Sequence, residues 1–158
     1  MSSPRVEKMG EYQIEALASF SLSARVLSKD RYWTGRESDL SPYDLALGWG
    51  RMSDSAVYGQ LDIEQYGRWY HYQWDERGPP IPKAEIVRSS ANMHLIPATA
   101  QIKDALGDVD RHDKVHLEGY LVEVRAPDGW KWRSSMSRED SGGHSCEVFA
   151  VTKVERLK

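Results

Sequence analysis

A chain of 158 residues is long enough to bury one hydrophobic core, so it can fold without a structural metal ion or a disulfide bond. A hydrophobic fraction of 40%, a charged fraction of 28% and a formal net charge of -3 exclude a disordered or strongly basic chain, and net charge does not favour nucleic acid as a partner. The one cysteine, Cys146, excludes an internal disulfide, and no apolar run is long enough for a transmembrane helix, which together predict a soluble, cytoplasmic protein.

The first half of the chain predicts a long strand, two helices and an aromatic strand. Apolar residues occupy every second position over 14–26, which predicts a long, half-buried, bent strand. Ser41 and Pro42 are typical of an N-cap and a first helical position, so a short helix is predicted from there to Gly48. A second helix is predicted to begin at residue 53 or 54. β-favouring aromatic residues then predict a strand that ends at the "ERGPPIP" segment: Tyr66, Trp69, Tyr70, Tyr72 and Trp74.

The segment "RSSANMHLIPA", residues 88–98, alternates polar and apolar side chains and predicts a strand that Pro97 closes. The polar residues share one strand face: Arg88, Ser90, Asn92 and His94. We interpret this face as a solvated or partner-facing surface. It becomes a catalytic site only if Cys146 lies opposite it.

The last third of the sequence predicts a helix, a hairpin and a closing strand. Ile102 and Leu106 lie at helical spacing, and Gly107 predicts the helix end. Strands are predicted in "KVHLEGYLVEV", "WKWRSSMS" and "CEVFAVTKV", the first two joined by the turn "APDG". The apolar pattern changes phase beside Gly119, which predicts a bulge, and the closing strand is apolar on both faces like a central strand.

These elements together predict an α+β fold: a mostly antiparallel, curved sheet or small β-barrel with two or three short helices. The sequence contains no repeat, linker or low-complexity segment, so residues 1–158 are predicted to form a single globular domain. Residues 1–11 are interpreted as a flexible N-terminal tail.

Cys146 and His94 are the candidate catalytic pair, because an imidazole beside a thiol can generate a nucleophilic thiolate. Asn92 lies two positions before His94 on the same strand face and is a candidate to orient the imidazole. Arg138 is the candidate that stabilises an anion, and His144 lies close to the thiol in sequence. The alternative interpretation makes Cys146 a buried packing residue and His94 a hydrogen-bonded structural one.

The aromatic strand offers a candidate binding surface for sugars or unpaired bases, since its rings at positions 70, 72 and 74 share one face. The alternative interpretation is a core strand whose tyrosine hydroxyls reach water. The candidate binding residues are Arg68, Tyr70, Tyr72, Trp74, Arg88 and Ser90.

The segment "DVDRHDKVH" brings imidazole and carboxylate groups together in a pattern that could furnish metal ligands. It connects a predicted helix to a predicted strand, where polar residues are expected for solubility alone, and it lacks a helical His-x-x-x-His pattern. We therefore predict no metal site and no cofactor.

Four segments resemble a group of bacterial proteins of unknown activity, often preceded by a membrane-spanning segment: "LSPYDLALGWGRMSD", "SSANMHLIPA", "EGYLV" and "SSMSREDSGGHSCE". This resemblance covers nearly the whole chain and implies a shared single domain.

Residues 90–156 also resemble sortase transpeptidases in the order of a histidine after a strand, a helix, the "HDKVHLEGYLV" strand and a late cysteine. The chain departs from that pattern, because His112 stands in place of a glycine and no Thr-Leu-x-Thr segment precedes Cys146.

Three functions remain open from the sequence. The leading hypothesis is a non-catalytic binding or accessory module whose polar strand face and Trp/Tyr-rich surface contact a protein, peptide or polymer. The first alternative is a cysteine-dependent acyl-transfer enzyme, a transpeptidase or hydrolase, that uses Cys146 and His94. The second alternative is single-stranded nucleic-acid binding on an aromatic sheet face.

Overall fold

The computed structural model of the protein describes residues 6–32, 38, 40–66, 69–134 and 147–157. In these residues nine strands and three short α-helices follow one another, and a 3-10 helix at Gly50–Ser53 precedes the first α-helix. The strands are β1 (Val6–Met9), β2 (Tyr12–Arg31), β3 (Tyr43–Gly48), β4 (Asp62–Tyr66), β5 (Trp69–Gln73), β6 (Ser90–Pro97), β7 (Lys114–Arg125), β8 (Lys131–Arg133) and β9 (Glu147–Leu157). The α-helices are α1 (Ser55–Tyr58), α2 (Lys83–Arg88) and α3 (Ala100–Gly107).

Five of the described strands pair in a ring. β2 pairs with β3, β3 with β6, β6 with β9, β9 with β7, and β7 pairs back onto β2. Among the described pairs, β6–β9 alone is parallel, so the sheet is mostly antiparallel and strongly curved, as predicted. In chain order the ring strands are β2, β3, β6, β7 and β9, with α3 between the third and the fourth, and this connectivity matches that of the OB-fold.

The ring encloses the main core of the molecule. Side chains from all five ring strands and from α3 meet in one buried cluster, which includes Leu45, Met93, Leu106, Leu117 and Phe149. Two smaller buried clusters lie on the outer face of the sheet. One joins β3 to α1, α2 and the β4–β5 hairpin, and the other lies around β8 and the N-terminal part of β2.

The long strand β2 can serve two neighbours because it is bent. Its residues Gln13–Arg25 pair with β7, and its residues Arg25–Arg31 pair with β3. The register shifts between Ala16 and Ala18 and again between Val26 and Ser28. Such irregularities increase the local bend and twist of a strand, which allows the sheet to curve back on itself.

Gly119 allows β7 to approach β9 closely. A Cβ atom at this position would lie 1.9 Å from the carbonyl oxygen of Ala150, so no other residue fits without a backbone shift. The β7–β9 register shifts between Glu118 and Gly119. The bulge predicted from the change of phase in the sequence is therefore confirmed.

Several predicted elements are confirmed with shifted boundaries. The long strand at 14–26 extends over all of β2, and the aromatic strand, the hairpin β7–β8 and the central strand β9 are present. Helix α1 is capped by Asp54, whose carboxylate accepts a hydrogen bond from the N–H of Ala56 at 2.9 Å. Helix α3 ends at Gly107 as predicted.

The predicted helix over residues 42–48 is wrong. Residues Tyr43–Gly48 form β3, and all six are buried between β2 and β6. The Ser-Pro pair is a local helix signal, but pairing on both edges and burial on both faces outweigh a local preference.

Two further elements were not predicted. β4 pairs with the aromatic strand β5 as a separate hairpin, and α2 includes Arg88, which was predicted to start the next strand. Residues 6–9, part of the expected N-terminal tail, form β1 and pair with β2. No helix in the described ranges is long and apolar enough to cross a membrane.

Candidate acid–base site

The polar face of β6 is buried. Ser90, Asn92 and His94 are 5%, 4% and 5% exposed, so the interpretation of this face as a solvated surface is wrong for these three residues. Arg88, which was expected to join them, is the exposed last residue of α2. A buried polar group is tolerated when it has hydrogen-bond partners, so the partners decide what this face can do.

Asp44 is the main partner of this face and was missed by the sequence analysis. The register of β3 and β6 places Asp44 directly opposite His94, so both side chains project from the same face. Asp44 is 0% exposed. This pairing was not expected because residues 42–48 were predicted to form a helix. A lone carboxylate within the apolar segment "LSPYDLALGWG" was the available signal, since a buried carboxylate requires a partner.

Asp44 fixes the orientation and tautomer of His94. Its Oδ2 atom accepts hydrogen bonds from Nδ1 of His94 at 2.9 Å and from Nδ2 of Asn92 at 3.1 Å. Because a carboxylate accepts and does not donate, Nδ1 carries the proton and the neutral imidazole has its lone pair on Nε2. Nε2 forms no hydrogen bond with a described residue. It is also not one of the fully buried polar atoms that lack a partner in the described part of the chain, so it keeps some exposure to solvent. The imidazole is therefore held by a carboxylate on one side and open on the other.

The β4–β5 hairpin covers one end of this face. Nε2 of Gln65 donates to Oδ1 of Asn92 at 2.6 Å, so a chain of hydrogen bonds connects the hairpin to Asp44. The hydroxyl of Tyr70 donates to Oγ of Ser90 at 3.2 Å, and Ser90 donates to the carbonyl oxygen of Ile86 at 2.7 Å. Burial raises the pKa of Tyr70, so its hydroxyl stays protonated at neutral pH.

Aromatic rings lie on the other side of His94. The ring of Trp132 lies 5.1 Å from the imidazole between centroids, and the ring of Trp130 lies 6.1 Å from that of Trp132. Tyr12 contacts Trp130 edge-on at 6.0 Å. These rings make the surroundings of the imidazole apolar, which strengthens the hydrogen bond between Asp44 and His94.

Four residues singled out in the sequence lie outside the described residues: Arg68, Arg138, His144 and Cys146. Strand β9 begins at Glu147, which pairs with Met93, the neighbour of His94. The roles assigned to the four residues therefore stay predictions.

The predicted aromatic surface lies on the β4–β5 hairpin. Tyr70 and Tyr72 are neighbours at 5.2 Å between ring centroids, and Trp74 follows at 6.4 Å. Tyr70 and Tyr72 pack against the outer cluster beside β3, whereas Trp74 is 37% exposed. Tyr66 is 57% exposed and stacks on His71 at 3.8 Å. On this hairpin the exposed aromatic area thus belongs to Tyr66 and Trp74 rather than to the half-buried Tyr70.

The acidic and histidine-rich segment 108–116 does not bring its groups together. The ring of His112 packs against Tyr58 at 5.2 Å, while His116 forms hydrogen bonds with Ser23 and Glu118. Among the described residues, no group of three or more His, Cys, Asp or Glu side chains is arranged to hold a metal ion.

Comparison of the chain with protein-family profiles and with curated protein sequences gives no match. The geometry of the site is therefore the basis of the function proposed below.

Proposed function

We propose that this protein is a cysteine-dependent acyl-transfer enzyme, a transpeptidase or hydrolase, in which His94 is the general base and Asp44 orients it. The observation that supports this proposal most strongly is the buried 2.9 Å hydrogen bond between Asp44 and Nδ1 of His94, with Nε2 left open. An imidazole held in this way is pre-organised for proton transfer. Asn92 acts through Asp44, to which it donates, instead of contacting the imidazole as we expected from sequence.

Cys146 supplies the nucleophile in this proposal, and it directly precedes Glu147 in the sequence. The thiol gives its proton to Nε2 of His94, and the sulfur adds to the carbonyl carbon of the acyl donor. The imidazolium then returns this proton to the leaving amine or alcohol, and a thioester remains. Water or an amine adds to the thioester and gives its proton to His94, which passes it to the departing sulfur. Arg138 keeps its predicted role as the group that stabilises the anionic intermediate.

The rate of iodoacetamide alkylation as a function of pH tests this proposal. We expect Cys146 in the native protein to react at a pH well below the ordinary thiol pKa of about 8.5. His94→Gln and Asp44→Asn should each lower the rate at neutral pH by about tenfold or more, which corresponds to a shift of about one pKa unit. His71→Gln, on the far side of the hairpin, is the matched control.

Two results would overturn the proposal. One is a thiol that reacts only after denaturation. The other is a pH profile that His94→Gln leaves unchanged in a folded protein.

A binding or accessory module is the second candidate, favoured by the large aromatic side chains that are exposed. Tyr66 is 57% exposed, Trp74 37% and Tyr120 36%. Exposed aromatic residues are typical anchors for protein, peptide or polymer partners. If a partner binds here, Tyr66→Ser with Trp74→Ser should abolish its capture while the alkylation profile of Cys146 stays unchanged.

Nucleic-acid binding has less support. OB-folds bind oligonucleotides on the face of their second and third strands, which corresponds here to the outer face of β3 and β6. That face carries Asp44, Asn92 and His94 and is buried. A likeness of fold alone does not assign a function. Measured affinity for single-stranded DNA that falls steeply with salt concentration would support this hypothesis.

A further inference from the structure

A second hydrogen-bonded group of catalytic residue types lies on the outer face of β2 and β7. The register places Ser23 opposite His116, and Glu118 follows two residues later on the same face of β7. Oγ of Ser23 lies 2.7 Å from Nδ1 of His116, and Nε2 of His116 lies 2.8 Å from Oε2 of Glu118. One imidazole thus connects a serine hydroxyl to a carboxylate.

Glu118 determines which nitrogen of His116 can accept a proton. The carboxylate accepts a hydrogen bond, so Nε2 carries the hydrogen and Nδ1 has the lone pair. The hydroxyl of Ser23 therefore donates to Nδ1. The hydrogen bond from His116 holds the pKa of Glu118 below its usual value, so this carboxylate is ionised at neutral pH.

Ser23 lies beside an open edge of the sheet. β1 pairs with β2 over residues 12–15 and β3 pairs with β2 from Arg25 onward, so no described strand covers the edge between these two segments. The side chain of Ser23 is exposed. A reactant can therefore approach this serine from the edge as well as from above the sheet.

The backbone N–H of Ser23 points toward the same open edge. Val26 exchanges backbone hydrogen bonds with His112 and Asp113 on the β7 side. Successive residues of a strand direct their backbone groups to opposite edges, so Ala24 faces β7 and Ser23 faces away from it. No described strand accepts from the N–H of Ser23 at this edge, so it can donate to an oxygen that gains negative charge beside Oγ.

We propose that Ser23, His116 and Glu118 form a nucleophilic serine site for activated carboxylic esters, separate from the site at His94. Oγ of Ser23 adds to the ester carbonyl carbon while its proton passes to Nδ1 of His116. The alcohol leaves with that proton, and an acyl ester of Ser23 remains. Water then adds to this ester and gives a proton to His116, which returns it to Oγ as the carboxylic acid departs.

The neighbouring groove indicates a small acyl group. A groove of about 430 Å³ adjoins Glu118 and is lined by Ser19, Phe20, Ser21, Tyr120 and Thr152. Its lining is more polar than apolar, which suits a short acyl group with polar substituents.

Labelling with a fluorophosphonate probe, followed by peptide mapping, tests this site. The protein should carry Cys146→Ala, so that the thiol of the proposed main site contributes nothing. We expect an adduct on Ser23, its loss in Ser23→Ala, and labelling reduced at least about tenfold in His116→Gln and Glu118→Gln. Ser55→Ala, which removes an exposed serine on α1, is the matched control and should label normally.

Failure to label Ser23 in the folded protein would overturn the proposal. Labelling of equal rate in folded His116→Gln would overturn it as well, because the serine would then react without the imidazole. The circular dichroism spectrum of each variant checks folding. Since all samples lack the thiol, neither result depends on the function proposed for Cys146.

Discussion

The tautomer and orientation of His94 depend on the carboxylate of Asp44, which is 50 residues away in the chain. Asp44 accepts from both His94 and Asn92, and it is completely buried. The uncharged isostere asparagine offers a neutral carbonyl oxygen and adds an N–H donor where only acceptors are needed. The substitution therefore tests both the stability and the chemistry of the site.

We expect Asp44→Asn to lower the free energy of unfolding by about 1–3 kcal/mol, because buried hydrogen bonds to a charged group lose a suitable acceptor. Urea unfolding followed by tryptophan fluorescence measures this change. Asp62→Asn, at an exposed position of β4, is the control. Equal stability of the two variants would show that the buried carboxylate contributes nothing to folding.

Tyr70 should make the protein sensitive to alkaline pH. Burial raises the pKa of Tyr70 in the folded protein, although the hydrogen bond to Ser90 opposes this shift. In the unfolded chain the phenol ionises near its ordinary pKa of about 10. Above that pH the unfolded state releases a proton that the folded state keeps, so the free energy of unfolding falls as pH rises. The contribution of Tyr70 to stability is therefore fully present only below about pH 10.

In Tyr70→Phe this loss of stability above about pH 10 should be smaller than in the wild type. Urea unfolding between about pH 8 and about pH 11, on both sides of the ordinary tyrosine pKa of about 10, measures this difference. Tyr66→Phe removes an exposed phenol and is the control. An alkaline profile that Tyr70→Phe leaves unchanged would contradict the assignment.

At the scale of elements, the close approach of β7 and β9 requires Gly119. The methyl group of Gly119→Ala would lie 1.9 Å from the carbonyl oxygen of Ala150, which is backbone and cannot turn aside. We expect a loss of stability of about 1–3 kcal/mol or more, measured by thermal unfolding. Lys153→Ala, an exposed change in β9, should have little effect. A Gly119→Ala variant as stable as this control would exclude the close strand contact.

Lys29 anchors α3 to the long strand β2. Its Nζ donates to the carbonyl oxygens of Leu106, Gly107 and Val109 at 3.0, 2.9 and 2.7 Å. A cation at a helix C-terminus also interacts favourably with the helix dipole. Lys29→Met should cost about 1–3 kcal/mol of stability in urea unfolding, whereas Lys103→Met on the exposed face of α3 should be nearly neutral. Equal effects would indicate that the three hydrogen bonds are unimportant.

The elements that the sequence predicted well are those with a single strong local pattern. Alternation defined β2 and β7, and a change of phase located the bulge at Gly119. Residues 43–48 carried two conflicting signals, and the buried environment outweighed the Ser-Pro helix signal. Helix α2 is six residues long, too short for a repeating pattern to reveal it.

At the scale of the whole molecule, the curved sheet was predictable but the candidate site was not. The polar residues Asn92 and His94 were recognised from their spacing on one strand. Their burial follows from the β4–β5 hairpin and from Trp132, which are distant in sequence. The partner Asp44 depends on the β3–β6 register, a non-local pairing that periodicity within a single strand does not specify.

The tautomer of His94 tests most directly whether Asp44 holds this imidazole ready to accept a proton at Nε2. NMR on protein with ¹⁵N-labelled histidine measures this tautomer. His94→Gln identifies the signals of this residue. In the uncharged imidazole we predict a protonated Nδ1 and an unprotonated Nε2, because Asp44 accepts from Nδ1. Asp44→Asn should remove this preference. A protonated Nε2 with an unprotonated Nδ1 in the wild-type protein would contradict the account, because His94 could then not accept a proton through its open nitrogen.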